Sequence, residues 1–140
     1  MNDVDEFDFE AMQAQGNNAG VPVLYAMIMT PLVPPSSPGA DRNPGNPTAL
    51  EEHYAYMHRL IEQGKILLIG PCMSEPTIPG QAPVPPGIGI LSVGSLEEAQ
   101  EIARNEPFHK TGWRHNAVMA WTPKFGTLTG VLRNMATQGR

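Results

Sequence analysis

Residues 48–72 read TALEEHYAYMHRLIEQGKILLIGPC, and their apolar pattern changes period halfway along. Thr48 and Glu51 have the spacing of a capping box, and Gly64 is a helix stop. Between them, at about 100° per residue, Leu50, Tyr54, Met57 and Ile61 fall within about 60° of one another, with Leu60 on the flank. From Lys65 to Cys72 the residues are almost continuously apolar and stop at Gly70-Pro71, which reads as a short buried strand. A helix that runs straight into a buried strand is half of a two-layer unit.

The rest of the chain supplies the other half. VPVLYAMIM, 21–29, has the length and the β-branched and aromatic content of a buried strand. TPLVPPSSPGADRNPGNP, 30–47, carries six prolines and is excluded from helix or central strand, so it reads as a flap. MSEPTIPGQAPVPPG, 73–87, is a second loop, and IGILSVGS, 88–95, a third strand. SLEEAQEIARNEP, 95–107, is a second helix, capped by Ser95 with Glu98 and halted before Pro107. Its inner face is Leu96, Ala99, Ile102 and Ala103. WRHNAVMAWTP, 113–123, alternates in parity as a fourth strand. The order β-α-β-β-α-β predicts an α+β, ferredoxin-like domain over residues 21–123 with a four-stranded antiparallel sheet.

Two helices cover one face of such a sheet. Yet the first strand offers Val23, Tyr25, Met27 and Met29 on one parity and Leu24, Ala26 and Ile28 on the other. The last strand sets Trp113, Met119 and Trp121 against Val118 and Ala120. Both faces are apolar, which predicts a homodimer.

Charge is unevenly spread. Of the net −5, all five units come from Asp3, Asp5, Glu6, Asp8 and Glu10, in a segment 1–20 without Lys or Arg. That segment reads as an acidic flexible tail, and residues 124–140 as an exposed arm or short docking helix. The remaining chain is neutral, which argues against nucleic acid as a partner. No apolar run has the length of a membrane span, and the single cysteine, Cys72, excludes an internal disulfide. A cytoplasmic protein is the expectation.

Chemistry has few candidates. His53 lies beside Met57 and Leu60 on the edge of the first helix's apolar stripe, where an imidazole is either a structural group or a general acid or base. His58 is nearer the polar side. His109 follows Pro107 in a link, and His115 shares strand parity with Trp113, with Arg114 pointing to the opposite face. No metal-ligand spacing joins these histidines, and nucleophile elbow, phosphate loop, dinucleotide fingerprint and CxxC pair are all missing from the sequence. What remains is a cofactor-free site of histidine and carboxylate, with Glu75, Glu106 and Asp41 as the possible acids.

EEHYAYMHRLIEQGKILLIGP, 51–71, and SLEEAQEIARNEPFHKTGWR, 95–114, resemble the two signature blocks of the YCII-related (YciI-like) proteins. The resemblance covers roughly residues 21–123 and implies the dimeric α/β-barrel fold. It implies a site centred on a histidine and an aspartate, the histidine falling on His53. Where the family has an aspartate after Gly-Pro, this chain has Ser74 and Glu75; where the family has Asp-Pro, it has Glu106. One branch of the family dehydrochlorinates chlorinated hydroxyquinols, and muconolactone isomerases share the wider fold. The implied function is a cofactor-independent lyase or isomerase acting on a small aromatic-derived or lactone-like metabolite. His53 would move the proton, Glu75 or Glu106 would orient it, and Ser74, His109, Trp113, Arg114 and His115 would bind substrate. The alternatives are a non-catalytic dimer that binds a small molecule or a partner, and a cofactor-free oxygenase.

Overall fold

The computed structural model describes residues 6–32, 47–73 and 86–137, without the side chains of 47–49, 136 and 137. The side chain of the expected cap Thr48, most of the 30–47 flap with Asp41, and Ser74 and Glu75 lie outside what is described. The chain forms two compact units, Leu24–Trp121 and a second made of both chain ends.

In the larger unit the elements are β1 (Leu24–Pro31), α2 (Pro47–Glu62), β2 (Ile66–Pro71), β3 (Gly87–Leu91), α3 (Leu96–Asn105), α4 (Pro107–Lys110) and β4 (Arg114–Trp121). The end unit contributes α1 (Phe9–Asn17) and α5 (Thr129–Thr137). The sheet is antiparallel throughout in the order β2-β3-β1-β4, as the ferredoxin-like reading requires. Compared with the sequence expectation, the third strand ends at Leu91, and a separate short helix follows the second long one.

Register decides which side chains meet. Tyr25, Met27 and Met29 of β1 pair with Ala120, Val118 and Asn116 of β4, so these face the same layer. That layer holds the core, in which the three β1 residues pack with Met57 and Leu60 of α2, Ile66, Leu91, Val93, and Ala99, Ile102 and Ala103 of α3. Gly87 of β3 makes room for it: a Cβ there would stand 2.7 Å from the Met29 methyl carbon.

The buried stripe of α2 is rotated from the one the sequence suggested. His53, Met57 and Leu60 are buried, whereas Tyr54 and Ile61 are 63% and 52% exposed. The spacing i, i+4, i+7 places His53 within the stripe rather than on its edge. Leu96 is likewise exposed, so α3 packs through three small or β-branched residues. Gly64 closes α2 in the left-handed region at φ 71°, and Lys65 N then donates to Leu60 O at 2.9 Å.

The other sheet face is open and apolar. Leu68, Ile88, Met119 and Trp121 share it by register and are 65%, 44%, 52% and 45% exposed.

The end unit departs from a structureless tail. Asp8 caps α1 by accepting from Ala11 N at 3.0 Å, and Gly16 is buried where a Cβ would collide with the Phe125 ring. Arg133 Nη1 donates to Ala19 O at 3.1 Å. Phe7, Phe9, Met12, Lys124 and Phe125 help to line a cavity of about 320 Å³. The sequence hid this because the partners of the first twenty residues lie more than a hundred positions away.

Candidate active site

Two elements bring the key pair together. α2 projects His53 inward, and the break between α3 and α4 leaves Glu106 in extended backbone, at φ −66° and ψ 129°, with its carboxylate turned into the protein. Pro107 enforces that break, since it disfavours helical backbone at the residue before it. His53 Nδ1 and Glu106 Oε2 lie 2.7 Å apart, with side-chain exposures of 11% and 1%.

Glu106 is held from every side. Phe108 N donates to its Oε2 at 2.8 Å, and Asn116 Nδ2 donates to its Oε1 at 3.1 Å. Burial alone would raise its pKa, but the hydrogen bonds from His53, Phe108 N and Asn116, with the His53 charge, outweigh it and hold the carboxyl below its ordinary value. Glu106 is therefore ionised at neutral pH. A carboxylate only accepts, so Nδ1 of neutral His53 carries the proton and Nε2 carries the lone pair. That is the arrangement of a general base with its orienting acid.

Phe108 organises what surrounds the pair. Its ring stacks on His53 at 4.1 Å between centroids, tilted by only 13°. The Trp113 ring stands 5.1 Å from it, and Leu50 packs against both aromatics. The Arg114 guanidinium carbon lies 4.8 Å from the Phe108 centroid and 5.5 Å from that of Trp113. Arg114 Nη1 donates to Met29 Sδ at 3.3 Å. Burial lowers the Arg114 pKa from its ordinary value, and the Glu106 charge opposes that. Burial, and then the Glu106 charge, also raise the pKa of Tyr56, whose hydroxyl donates to Ile102 O at 2.9 Å.

Asn116 ties the second histidine to the first. Its Nδ2 donates to Ala103 O, at 3.1 Å, as well as to Glu106, and its backbone N donates to His109 Nδ1 at 3.1 Å. The proton of neutral His109 is thereby placed on Nε2, the reverse of His53. Asn116 Oδ1 and Trp113 Nε1 are buried without a hydrogen-bond partner among the described residues.

The sequence candidates separate accordingly. His53 and Glu106 come together, and Trp113 and Arg114 join them through Phe108. His109 is attached through Asn116. Trp113 and His115 do not share an environment, contrary to the parity reading: Trp113 precedes β4 and is buried, while His115 is exposed on the strand. Its ring lies 5.4 Å from that of His109. Trp121 is on the open sheet face and lines no part of this cluster. His58 is solvent-facing as expected, 3.7 Å from an equally exposed Glu62. Sequence reasoning missed Asn116 and Phe108. The signal for Asn116 was its strand parity with Arg114. No group of three or more metal-ligating side chains is present among the described residues. No helix among them is long and apolar enough to cross a membrane.

Comparison with known proteins places these features in context. The family model of the YCII-related domain matches residues 40–122. Among solved structures, a similar chain is the 5-chloro-2-hydroxyhydroquinone dehydrochlorinase TftG of Burkholderia phenoliruptrix AC1100, in complex with 2,5-dihydroxybenzoquinone. The two are 20% identical, the match covers 74% of this chain and 95% of that one, and the TM-score is 0.45. None of the curated proteins gives a significant match.

Proposed function

Because this chain belongs to the YCII-related domain family, we propose that it is a cofactor-independent lyase or isomerase of a small aromatic-derived or lactone-like metabolite. The observation that carries this reading is the buried 2.7 Å contact between His53 Nδ1 and an ionised Glu106. In it, His53 Nε2 removes a proton adjacent to a carbonyl or in conjugation with one. The imidazolium then returns the proton at another carbon or assists departure of a leaving group. Glu106 fixes the ring and balances its charge as the proton arrives, and His109, Trp113 and Arg114 contact the substrate. Positioned acid-base catalysis of this kind contributes on the order of 100- to 10,000-fold. The open apolar sheet face supports a second copy packed sheet to sheet. Light scattering should give twice the chain mass, and a monomer at micromolar concentration would remove that part of the proposal.

The direct test is a substrate screen followed by one variant. 5-Chloro-2-hydroxyhydroquinone and unsaturated lactones form the first panel, followed by absorbance and by exchange of solvent deuterium into recovered material. Turnover by the native chain should vanish in His53→Ala. A variant with native kcat would exclude His53 as the proton carrier.

A further inference from the structure

We infer that Arg114, with Trp113 Nε1 next to it, is a receptor for a substrate oxyanion, so that the substrate is a molecule whose loosened proton leaves its electrons on an enolate or phenolate oxygen. The inference rests on the proton-transfer reading and names the chemistry of its substrate.

Two neighbouring residues carry donors with no oxygen acceptor among the described residues. Arg114 is half-buried, and no carboxylate among the described residues lies within ion-pair distance of it. Its protein hydrogen bond goes to a thioether, a weak acceptor for a group with five N–H donors. Trp113 Nε1 is buried with no partner among the described residues. A half-buried cation beside an indole whose N–H is buried and unpaired is costly unless something beyond the described residues supplies an acceptor with negative charge. The two aromatic faces, Phe108 and Trp113, hold the guanidinium without neutralising it.

The nearby carboxylate is already committed. Glu106 Oε2 serves His53 and Phe108 N, and Oε1 serves Asn116. With His53 in the neutral form that a base requires, His53, Glu106 and Arg114 sum to zero charge. When a C–H bond breaks, the proton goes to His53 Nε2 and the electron pair delocalises onto the conjugated oxygen. The site then holds two cations and one carboxylate, and the new oxyanion restores neutrality if it sits at Arg114. His53 and Arg114 both lie against the Phe108 ring.

The test uses the full chain with 4-nitrophenol, and its methyl ether as the neutral isostere. The native protein should bind the phenolate, showing the ionised dye's absorbance band at a pH where free dye is mostly protonated. Arg114→Gln should weaken phenolate binding about 10- to 100-fold, the loss of a charge-assisted hydrogen bond, and leave ether binding unchanged. The Trp113 indole N–H resonance of the unmutated chain should shift with phenolate and stay in place with ether, which needs no variant to fold. His53→Gln should keep the phenolate band, because the cation can hold an anion taken from solution. Equal phenolate binding in Arg114→Gln, no preference for phenolate over ether in the native chain, or an unmoved indole resonance would each overturn the inference. Turnover retained in a His53 variant would instead defeat the proton-transfer reading while leaving the dye results intact.

Discussion

Two pairs of ionisable side chains, His53 with Glu106 and His109 with His115, end in opposite environments. His53 meets Glu106 at 2.7 Å in a site where the carboxylate is 1% exposed. His109 meets His115, 5.4 Å between ring centroids, on the exposed side of β4, with a backbone amide as the partner of one ring. Proximity of ionisable groups is common to both. What distinguishes them is that burial gives the Glu106 carboxylate three donors and His53 Nδ1 a fixed acceptor, so the geometry of the first pair is set. In the second pair, water competes for each ring, and one weak amide contact sets one tautomer. A base is built by enclosure and a committed partner, more than by a cluster of histidines.

The largest effect expected from this contrast is on Glu106. Glu106→Ala strips the acceptor from His53 Nδ1, Phe108 N and Asn116 Nδ2 at once, and should cost about 3 kcal/mol in urea unfolding, as for other buried pairs broken from one side. Glu106→Gln keeps the shape and should cost less stability while lowering kcat about 100-fold. If Glu106→Ala unfolded like the native chain, the buried pair would be no more constrained than the exposed one, and the contrast would collapse.

A smaller effect follows from protonation. Hydrogen bonds and the His53 charge hold the Glu106 carboxyl below its ordinary value of 4.5 despite its burial. A depressed carboxyl contributes stability that is complete above the unfolded value and is lost as pH falls through the folded one. Unfolding free energy should therefore decline as pH falls below the ordinary carboxylate value, and Glu106→Gln should flatten that decline. An unchanged slope in the variant would assign the acid sensitivity to other carboxylates.

Much of the fold was legible because it is written in short-range pattern. The stop at Gly64 and the period change in residues 48–72 gave a helix and a strand, whereas the proline-rich stretches lie mostly outside the described residues. The order of elements then left one common topology. Parity also anticipated the open apolar face now seen at Leu68, Ile88, Met119 and Trp121. Rotation of α2 was not legible, because Leu60 and Ile61 are equally apolar and the choice depends on what the sheet presents. Of the site, His53 and Glu106 were named but not as a pair: Glu75 and Glu106 were equivalent until the turn before Pro107 aimed Glu106 inward. Asn116 was passed over because a lone amide in a strand carries no motif. Its role comes from Ala103, Glu106 and His109, three contacts set by tertiary packing. The helix at Phe9–Asn17 was hidden for a similar reason, since its buried Gly16 packs on Phe125.

The smallest effects belong to the exposed pair, and they sharpen the contrast most. His109 is partly buried and fixed by Asn116, which leaves an Nε2 proton to offer a substrate oxygen. His115 is exposed, with the His109 ring 5.4 Å away. His109→Ala should raise KM more than it lowers kcat, because it removes a donor used in binding. His115→Ala should leave both close to native and change stability by less than about 0.5 kcal/mol. Chelator treatment should change nothing: a metal at this pair would need the Nδ1 that Asn116 N already occupies, or the Nε2 whose proton that contact fixes. Loss of activity with chelator would reveal a metal-dependent site and reverse the ranking of the two pairs. So would a kcat that falls in His109→Ala and survives in His53→Ala, since the proton would then travel by the exposed ring.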